Sequence, residues 1–356
     1  MRLYSNHEPR THASVNKRTR VYKKMMVLLV GASICQLSLA ASTGQESALP
    51  KQHQEQQVTP QQRIAALSYK AQDIKQPKAQ RIQALRELAN YPSQNALVAV
   101  VRSLQDSEPE VREAAIVGAA PYSIEHRWRL IEPLLTDNEA RVRITAATNL
   151  VRDFSNLNKK QQQILEKPVA ELITDLQADT DPSSQLLLAD VYRWHQEWKK
   201  ADDIYQTLVK EQPNNPEIWL SLADNYRAQE KDRIAVETLT KGITLNPNNA
   251  PLHYSKSLAL VRLDDKKNAA FEIEQAAEMA EDNSYYWYLT GVLQENYDLQ
   301  KSIRSFEQAY LISGAPEQLY AVCDIYVRHN NPKTDQCLSE LAKVAPKSVI
   351  DGLKKR

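Results

Sequence analysis

The sequence predicts an all-α protein, a solenoid of stacked helical hairpins, and three observations carry that expectation. Glycine is scarce, at 7 of 356 residues. Ala, Leu, Gln, Glu and Lys are abundant, a composition that favours helix. One stretch repeats itself after 31 residues and another after 34, and fixed periods of this size mark helical hairpins packed side by side. No two glycines lie within two residues of each other, so neither G-x-G-x-x-G nor G-x-x-x-x-G-K-[ST] occurs. Amides approach a phosphate closely only where Cβ is absent, which argues against a nucleotide-binding α/β enzyme.

The amino terminus reads as an address. The first 40 residues hold seven Lys/Arg and one acid. Of the 45 basic and 44 acidic residues in all, 38 and 43 remain, a net of about −5 for the rest. Nothing in the body therefore has the basic footprint of a nucleic-acid binder. The stretch "KRTRVYKK" is followed by an apolar run and a small-x-small end at Ser38-Leu39-Ala40. This is the pattern of a secretory signal over residues 1–41, with Met25 or Met26 as alternative starts. The run is short for a membrane span, and an uncleaved anchor is the rival reading. Residues 42–60 are polar and glutamine-rich, too poor in apolar surface to order themselves.

Residues 61–154 carry the 31-residue period. Asp106, Val111, Arg112 and Ala115 recur as Asp137, Val142, Arg143 and Ala146. One period earlier, Arg81 and Ala84 keep register, with Lys75 in the place of the aspartate. Each unit reads as a helix, a turn holding Asp, and a second helix opening at Val-Arg, so that each Arg can reach an Asp of its own or the adjacent unit. The spacing resembles the HEAT repeat. Residues 155–181 read as two further helices, "NKKQQQILEK" and "PVAELITDLQAD", that bridge to the next array.

Residues 182–348 carry the 34-residue period. Leu188-Ala189-x-x-Tyr192 matches Leu222-Ala223-x-x-Tyr226, Ala201 matches Ala235, and Pro213 matches Pro247. A third unit keeps Ala269 and Ala276. A fourth is read from Leu289, Leu293, Ser302, Phe306 and Ala309, and a fifth from Val322-Cys323-x-x-Tyr326. The pattern resembles the tetratricopeptide repeat, W-x2-L-G/A-x2-Y…A-x3-F…P, giving about five units and a tail at 349–356. The fold expected is thus a HEAT-like array followed by a tetratricopeptide superhelix. Ala189 should face Ala201, and Ala223 should face Ala235, where the two helices of a hairpin come closest.

The tetratricopeptide resemblance implies a concave groove lined by first-helix residues. Carried over, the stripe is Leu186, Asp190, Arg193 and Trp194, then Leu220, Asp224 and Arg227, then Tyr254, Leu258 and Arg262. Trp287, Gln294 and Glu295 follow, then Tyr320, Asp324 and Arg328. Asp190 and Asp224 stand where a carboxylate-clamping groove has Asn, which disfavours capture of a free carboxyl terminus. Cys35 should leave with the signal; Cys323 and Cys337 remain as a pair that fits a disulfide in an exported protein.

No C-x-x-C, C-x-x-C-H, H-E-x-x-H or G-x-S-x-G occurs. The aromatic, charged cluster "DVYRWHQEW" at residues 190–198 invites a catalytic reading. Its counterpart 34 residues on is "DNYRAQEKD", with Gln229 at the place of His195, so His195 reads as a turn residue. The acid pairs Asp202-Asp203 and Asp264-Asp265 sit at helix starts and turns, where exposed N–H groups favour carboxylates. The function expected is a non-enzymatic, cofactor-free scaffold of the bacterial envelope that binds a protein or peptide segment, and no nucleic acid. The order of the arrays also resembles the tail of some multihaem c-type cytochromes. Without haem motifs, that resemblance implies an accessory or assembly factor of an extracytoplasmic redox system.

Overall fold

A computed structural model describes residues 59–355. The signal read over 1–41, and all but the last two residues of the leader at 42–60, lie outside the described residues. Among the described residues there are eighteen α-helices, two short 3-10 turns and no strand. The described residues separate into two compact units, one ending at Leu130 and the other beginning at Ile131. No described helix is long and apolar enough to cross a membrane.

The first unit contains α1 (Pro60–Gln72), α2 (Lys78–Leu88), α3 (Gln94–Ser103), α4 (Pro109–Gly118) and α5 (Ile124–Ile131, which ends at the unit boundary). Helix α1 starts with a capping box: Gln62 N–H donates to the Thr59 hydroxyl, and Thr59 N–H to the Gln62 side chain. α1 packs against α2 and α3, and α2 against α4, so like helices stack on like. The turn aspartates cap the turns that lead into the second helices. Asp106 accepts from Glu108 N–H at 3.0 Å, and Asp137, in the second unit, from Glu139 N–H at 2.9 Å. The first hairpin has the same device in Asp73, which accepts from Lys75 N–H at 3.0 Å. The expected replacement by Lys75 is therefore corrected: the aspartate is present, displaced by a two-residue longer turn. Arg81 is buried, ion-paired to Asp106 of the following turn and bonded to the Ala71 carbonyl at 3.2 Å. Arg112 and Arg143 instead donate to the backbone carbonyls of Asp106 and Asp137, at 2.8 and 2.7 Å.

The second unit begins with α6 (Ala140–Val151) and α7 (Lys159–Gln177). The sequence predicts two helices across 155–181; the chain makes one, with Pro168 inside it. A proline removes one helical hydrogen bond. Leu165, Val169, Leu172 and Leu176 nevertheless form one buried stripe across it, and that shared face keeps both halves in line.

Five hairpins follow, α8/α9 (Pro182–Trp194, Trp198–Glu211), α10/α11 (Pro216–Ala228, Asp232–Leu245), α12/α13 (Ala250–Arg262, Lys266–Met279), α14/α15 (Ser284–Gln294, Leu299–Ser313) and α16/α17 (Pro316–Arg328, Thr334–Leu341), with α18 (Lys347–Leu353) last. Asp181, Asn215, Asn249 and Asn283 cap the first four first-helices with their side chains, satisfying amides that have no partner within the helix. Inside the hairpins, Gln196, Glu230, Asp264 and Asn330 take left-handed backbone at φ 67, 59, 60 and 50°. Each is followed by an N–H bonding five residues back, as from Glu197 to Tyr192 at 2.8 Å, the Schellman closure of a helix end.

Each hairpin's closest approach is met differently. Ala189 and Ala201, then Ala223 and Ala235, are fully buried. In the third, the Ser257 hydroxyl donates to the Ala269 carbonyl at 2.8 Å. In the fourth, Ser302 donates to the Gly291 carbonyl at 2.6 Å, and a Cβ on Gly291 would lie 2.8 Å from the Phe306 ring. In the fifth, Cys323 and Cys337 form a disulfide, with Cα atoms 5.5 Å apart.

Candidate protein-binding face

Counting from each N-terminal cap aligns the repeats. The fifth helical residue is Leu186, Leu220, Tyr254, Tyr288 and Tyr320, all half-buried. The ninth is Asp190, Asp224, Leu258, Val292 and Asp324. Residues four apart share a helix face, so these two rows lie along the same side of the first helices. In four hairpins the stripe residues expected at these two positions fall on the rows; in the fourth Trp287 and Gln294 fall off them. Trp287 is the fourth residue of α14, and its indole N–H donates to the Glu281 carbonyl at 3.0 Å. Trp219 does the same to Pro213 at 2.8 Å, and the His253 Nε2 lies 3.3 Å from the Pro247 carbonyl. Gln185 bonds Asp179 likewise. These side chains are latches, each reaching six residues back into the turn between repeats.

Gln294 is also corrected. It is buried, donating to Glu274 of α13 at 3.1 Å. That is the role of the tyrosines at the same position: Tyr226 donates to Asp202 at 2.6 Å and Tyr326 to Glu307. Tyr285, Tyr288 and Val292 take the places on the face that Trp287 and Gln294 were given, while Glu295 stays on it. A signal for this register was present in the sequence. The cap residues fall at 181, 215, 249 and 283, 34 apart, and Gly291 is the small residue of its hairpin.

Charge on the face is paired internally. Asp190 accepts from the Tyr205 hydroxyl at 2.6 Å and from Arg193 at 2.8 Å, both donors part-buried or buried. Burial and the Asp190 carboxylate push the Tyr205 hydroxyl well above its ordinary range. Burial works against the Arg193 charge, but Asp190, Tyr205 and Asp224 outweigh it and hold the guanidinium protonated. Arg227 pairs with Asp224 at 2.8 Å and reaches Ser255 on the next first helix at 3.3 Å. Arg262 pairs with Asp232 at 3.1 Å. Arg328 pairs with Asp324 at 2.8 Å and with Glu295, which also meets His329 at 2.9 Å. Burial pushes the Glu295 carboxyl up, yet His329 and Arg328 together hold it below its usual range.

The centre of the face is aromatic and uncharged. Tyr254 stacks on Tyr286 with centroids 4.9 Å apart and meets Tyr285 edge-on at 6.3 Å. Tyr288 meets Phe306 edge-on at 5.6 Å. Tyr285 and Val292 are 38 and 42% exposed. At the near end Trp194 lies between Arg152 and Arg193, 5.2 and 5.5 Å from its ring centroid.

The "DVYRWHQEW" cluster is tied into the fold. His195 is the last residue of its helix turn, with Nε2 3.2 Å from Glu166, Nδ1 3.2 Å from Glu197, and its ring edge-on to Phe154. Asp202 holds Tyr226, and Asp264 takes a left-handed turn while Asp265 caps α13. Among the described residues no group of three His, Cys, Asp or Glu is placed to hold a metal ion.

Residues 216–249 match the tetratricopeptide repeat. The match spans the second hairpin from the first residue of α10 to the cap of α12. A relative is the peroxisomal targeting signal receptor of Kluyveromyces lactis, 27% identical over 159 residues. That alignment takes in 43% of this chain and 26% of the receptor, so the chain spans about a quarter of the curated relative's length. Similar solved structures include YrrB, described as a TPR protein with an unusual peptide-binding site. It is 17% identical, covers 53% of this chain and 98% of its own, and has a TM-score of 0.41. The C-terminal part of a TPR repeat-containing protein from Cytophaga hutchinsonii is 12% identical, with 65 and 95% covered and a TM-score of 0.45. MamA is 19% identical, with 47 and 95% covered and a TM-score of 0.38.

Proposed function

We propose that the protein is a non-enzymatic interaction scaffold of the bacterial envelope that binds a protein or peptide segment on the first-helix face of its tetratricopeptide array. The observation that carries this reading is the row Leu220, Tyr254, Leu258, Tyr288 and Val292, apolar and uncharged, flanked by ion pairs that are already satisfied. Aromatic anchors inside a polar surround are what a binding face needs. The 27% identical relative is a receptor for a targeting signal, which fits the same reading. The array at 61–154, read as HEAT-like, serves as a second surface or a rigid spacer. Export is supported by the signal pattern over residues 1–41 and by the Cys323–Cys337 disulfide, a bond that persists in oxidising compartments.

The test is crosslinked pull-down of the full chain from its native cells, with and without the pair Tyr254→Ala and Tyr288→Ala. The expected result is loss of the main crosslinked partner. A variant that retains every partner at full strength removes the face from consideration. Fractionation of the same cells checks the location: recovery in the cytoplasm overturns export.

A further inference from the structure

We infer that the turn between α1 and α2 is a contact point for an anionic lipid surface, which it meets with Tyr69 and Ile74 among the headgroups and Lys70 and Lys75 on the phosphates. This site is independent of the aromatic face. Tyr69 lies in the last turn of α1 and is 70% exposed. Ile74 follows the Asp73 cap and is 81% exposed. A single exposed apolar side chain is ordinary. Two on one turn, each next to a lysine, are not. The stretch Tyr69–Lys78, "YKAQDIKQPK", holds three lysines and one acid.

The repeat does not ask for these side chains. Asp73, Asp106 and Asp137 cap equivalent turns, each accepting from the N–H two residues on. Counted from these aspartates, Ile74-Lys75 stands where the later turns have Ser107-Glu108 and Asn138-Glu139, and Tyr69 stands where they have Arg102 and Pro133. Polar and acidic residues therefore make the same turn, and the first is apolar and basic for another reason. Its positive charge is also unspent within the fold. The Asp73 carboxylate is held by the turn itself, by Lys75 N–H at 3.0 Å and the Gln76 side-chain amide at 3.1 Å. Lys70 and Lys75 are exposed and form no ion pair among the described residues. Lys78 differs, pairing with Glu108 and Glu110 at 3.1 and 3.3 Å.

The chemistry of these side chains selects the partner. A tyrosine settles at the membrane–water interface, its ring against the acyl boundary and its hydroxyl in water. Lysine stems lie along apolar surface while their amines reach outward, and each basic residue beside an anionic leaflet adds to the attraction. Tyr69 and Ile74 stand out from the surface, so a folded protein could cover both only with a pocket shaped to them. Lipids part around whatever is presented. One turn with two apolar side chains gives weak, reversible attachment, which salt loosens by screening the lysines.

The test is an acetylation footprint. The full chain is mixed with vesicles of equal parts phosphatidylcholine and phosphatidylglycerol, treated with a lysine-acetylating reagent, and read by mass spectrometry. Because the reading is taken at the turn, attachment through residues 1–41 does not count. Lys70 and Lys75 should react about fivefold more slowly than without vesicles, or more slowly still. Vesicles of phosphatidylcholine alone, or high salt, should leave them at the vesicle-free rate. The protection should disappear in the Tyr69→Ser, Ile74→Ser pair, which keeps both lysines, and survive Ile74→Leu. Both replaced residues are exposed, and circular dichroism checks that the pair keeps its helix. Unchanged reactivity on the anionic vesicles overturns the inference. So does protection that survives the serine pair, or that reaches Lys241 of α11 equally and so reports general adsorption. Stronger protection by polyglutamate than by the vesicles assigns the turn to an acidic protein and overturns the lipid surface.

Discussion

The second and the fifth of the five hairpins from α8 to α17 solve one problem in opposite ways. In α10/α11 two helices approach closely because Ala223 and Ala235 carry almost nothing to keep them apart. In α16/α17 the equivalent approach is made by Cys323 and Cys337, joined covalently. The second hairpin has α9 on one side and α12 on the other. The fifth ends in a short second helix, Thr334–Leu341, followed by only seven residues of α18. Where neighbours clamp a hairpin, removing volume is enough. In the fifth hairpin, the pair is tied.

Breaking that contrast gives a graded set of outcomes. Cys323→Ser with Cys337→Ser should cost about 3 kcal/mol, the loop-closure value for a ring of about this length, and melting of the oxidised and reduced wild type provides the matching control. Ala223→Leu should cost about 2 kcal/mol by overpacking the second crossing, read by denaturant midpoint. Ser257→Ala should cost about 1 kcal/mol, since it deletes the bond to Ala269 while that carbonyl stays inside its helix.

The tyrosine positions sharpen the comparison through pH. Burial, with Asp202 alongside, pushes the Tyr226 hydroxyl up to about 12. A raised acid of this kind stabilises the fold fully below the unfolded tyrosine value of about 10 and ceases to do so as pH climbs toward 12. The advantage of wild type over Tyr226→Phe, measured by thermal melting, should shrink across that interval, by a modest amount because the side chain is only part-buried. Gln294→Leu, at the equivalent place in α14, should show a pH-independent difference there. The smallest effect belongs to the turn: Glu230→Gly relieves left-handed backbone at φ 59° and should stabilise by a few tenths of a kcal/mol once the entropy cost of glycine is subtracted. An unchanged or lower melting temperature would count against it.

Much of this organisation was legible because it is periodic. Ala189, Ala201, Ala223 and Ala235 announce the crossings, and two cysteines at the corresponding places of the last hairpin announce the bond. The fourth repeat misleads because Leu289 and Leu293 imitate the pattern one residue out of step. The cap Asn283, the latch Trp287 and the small Gly291 carry the true register, but Trp287 also reads as a face residue when counted with the two leucines. Asp73 was hidden by the longer turn after it. The continuity of α7 was hidden because a proline speaks locally, while the stripe from Leu165 to Leu176 is settled by what it packs against. The pairing of Arg193 with both Asp190 and Tyr205 depends on where α9 brings its side chain, which no local pattern reports.

The latches have a consequence for how such an array is extended. Pro213, Asn215 and Trp219 lie within seven residues and supply the carbonyl, the cap and the N–H donor of one joint. The stretch 213–246 is thus a cassette that carries its own connector. Inserted in tandem, each copy would lengthen the face by one helix pair and add one more Leu220 to the row, turning the molecule into a ruler whose graduations are set by its designer.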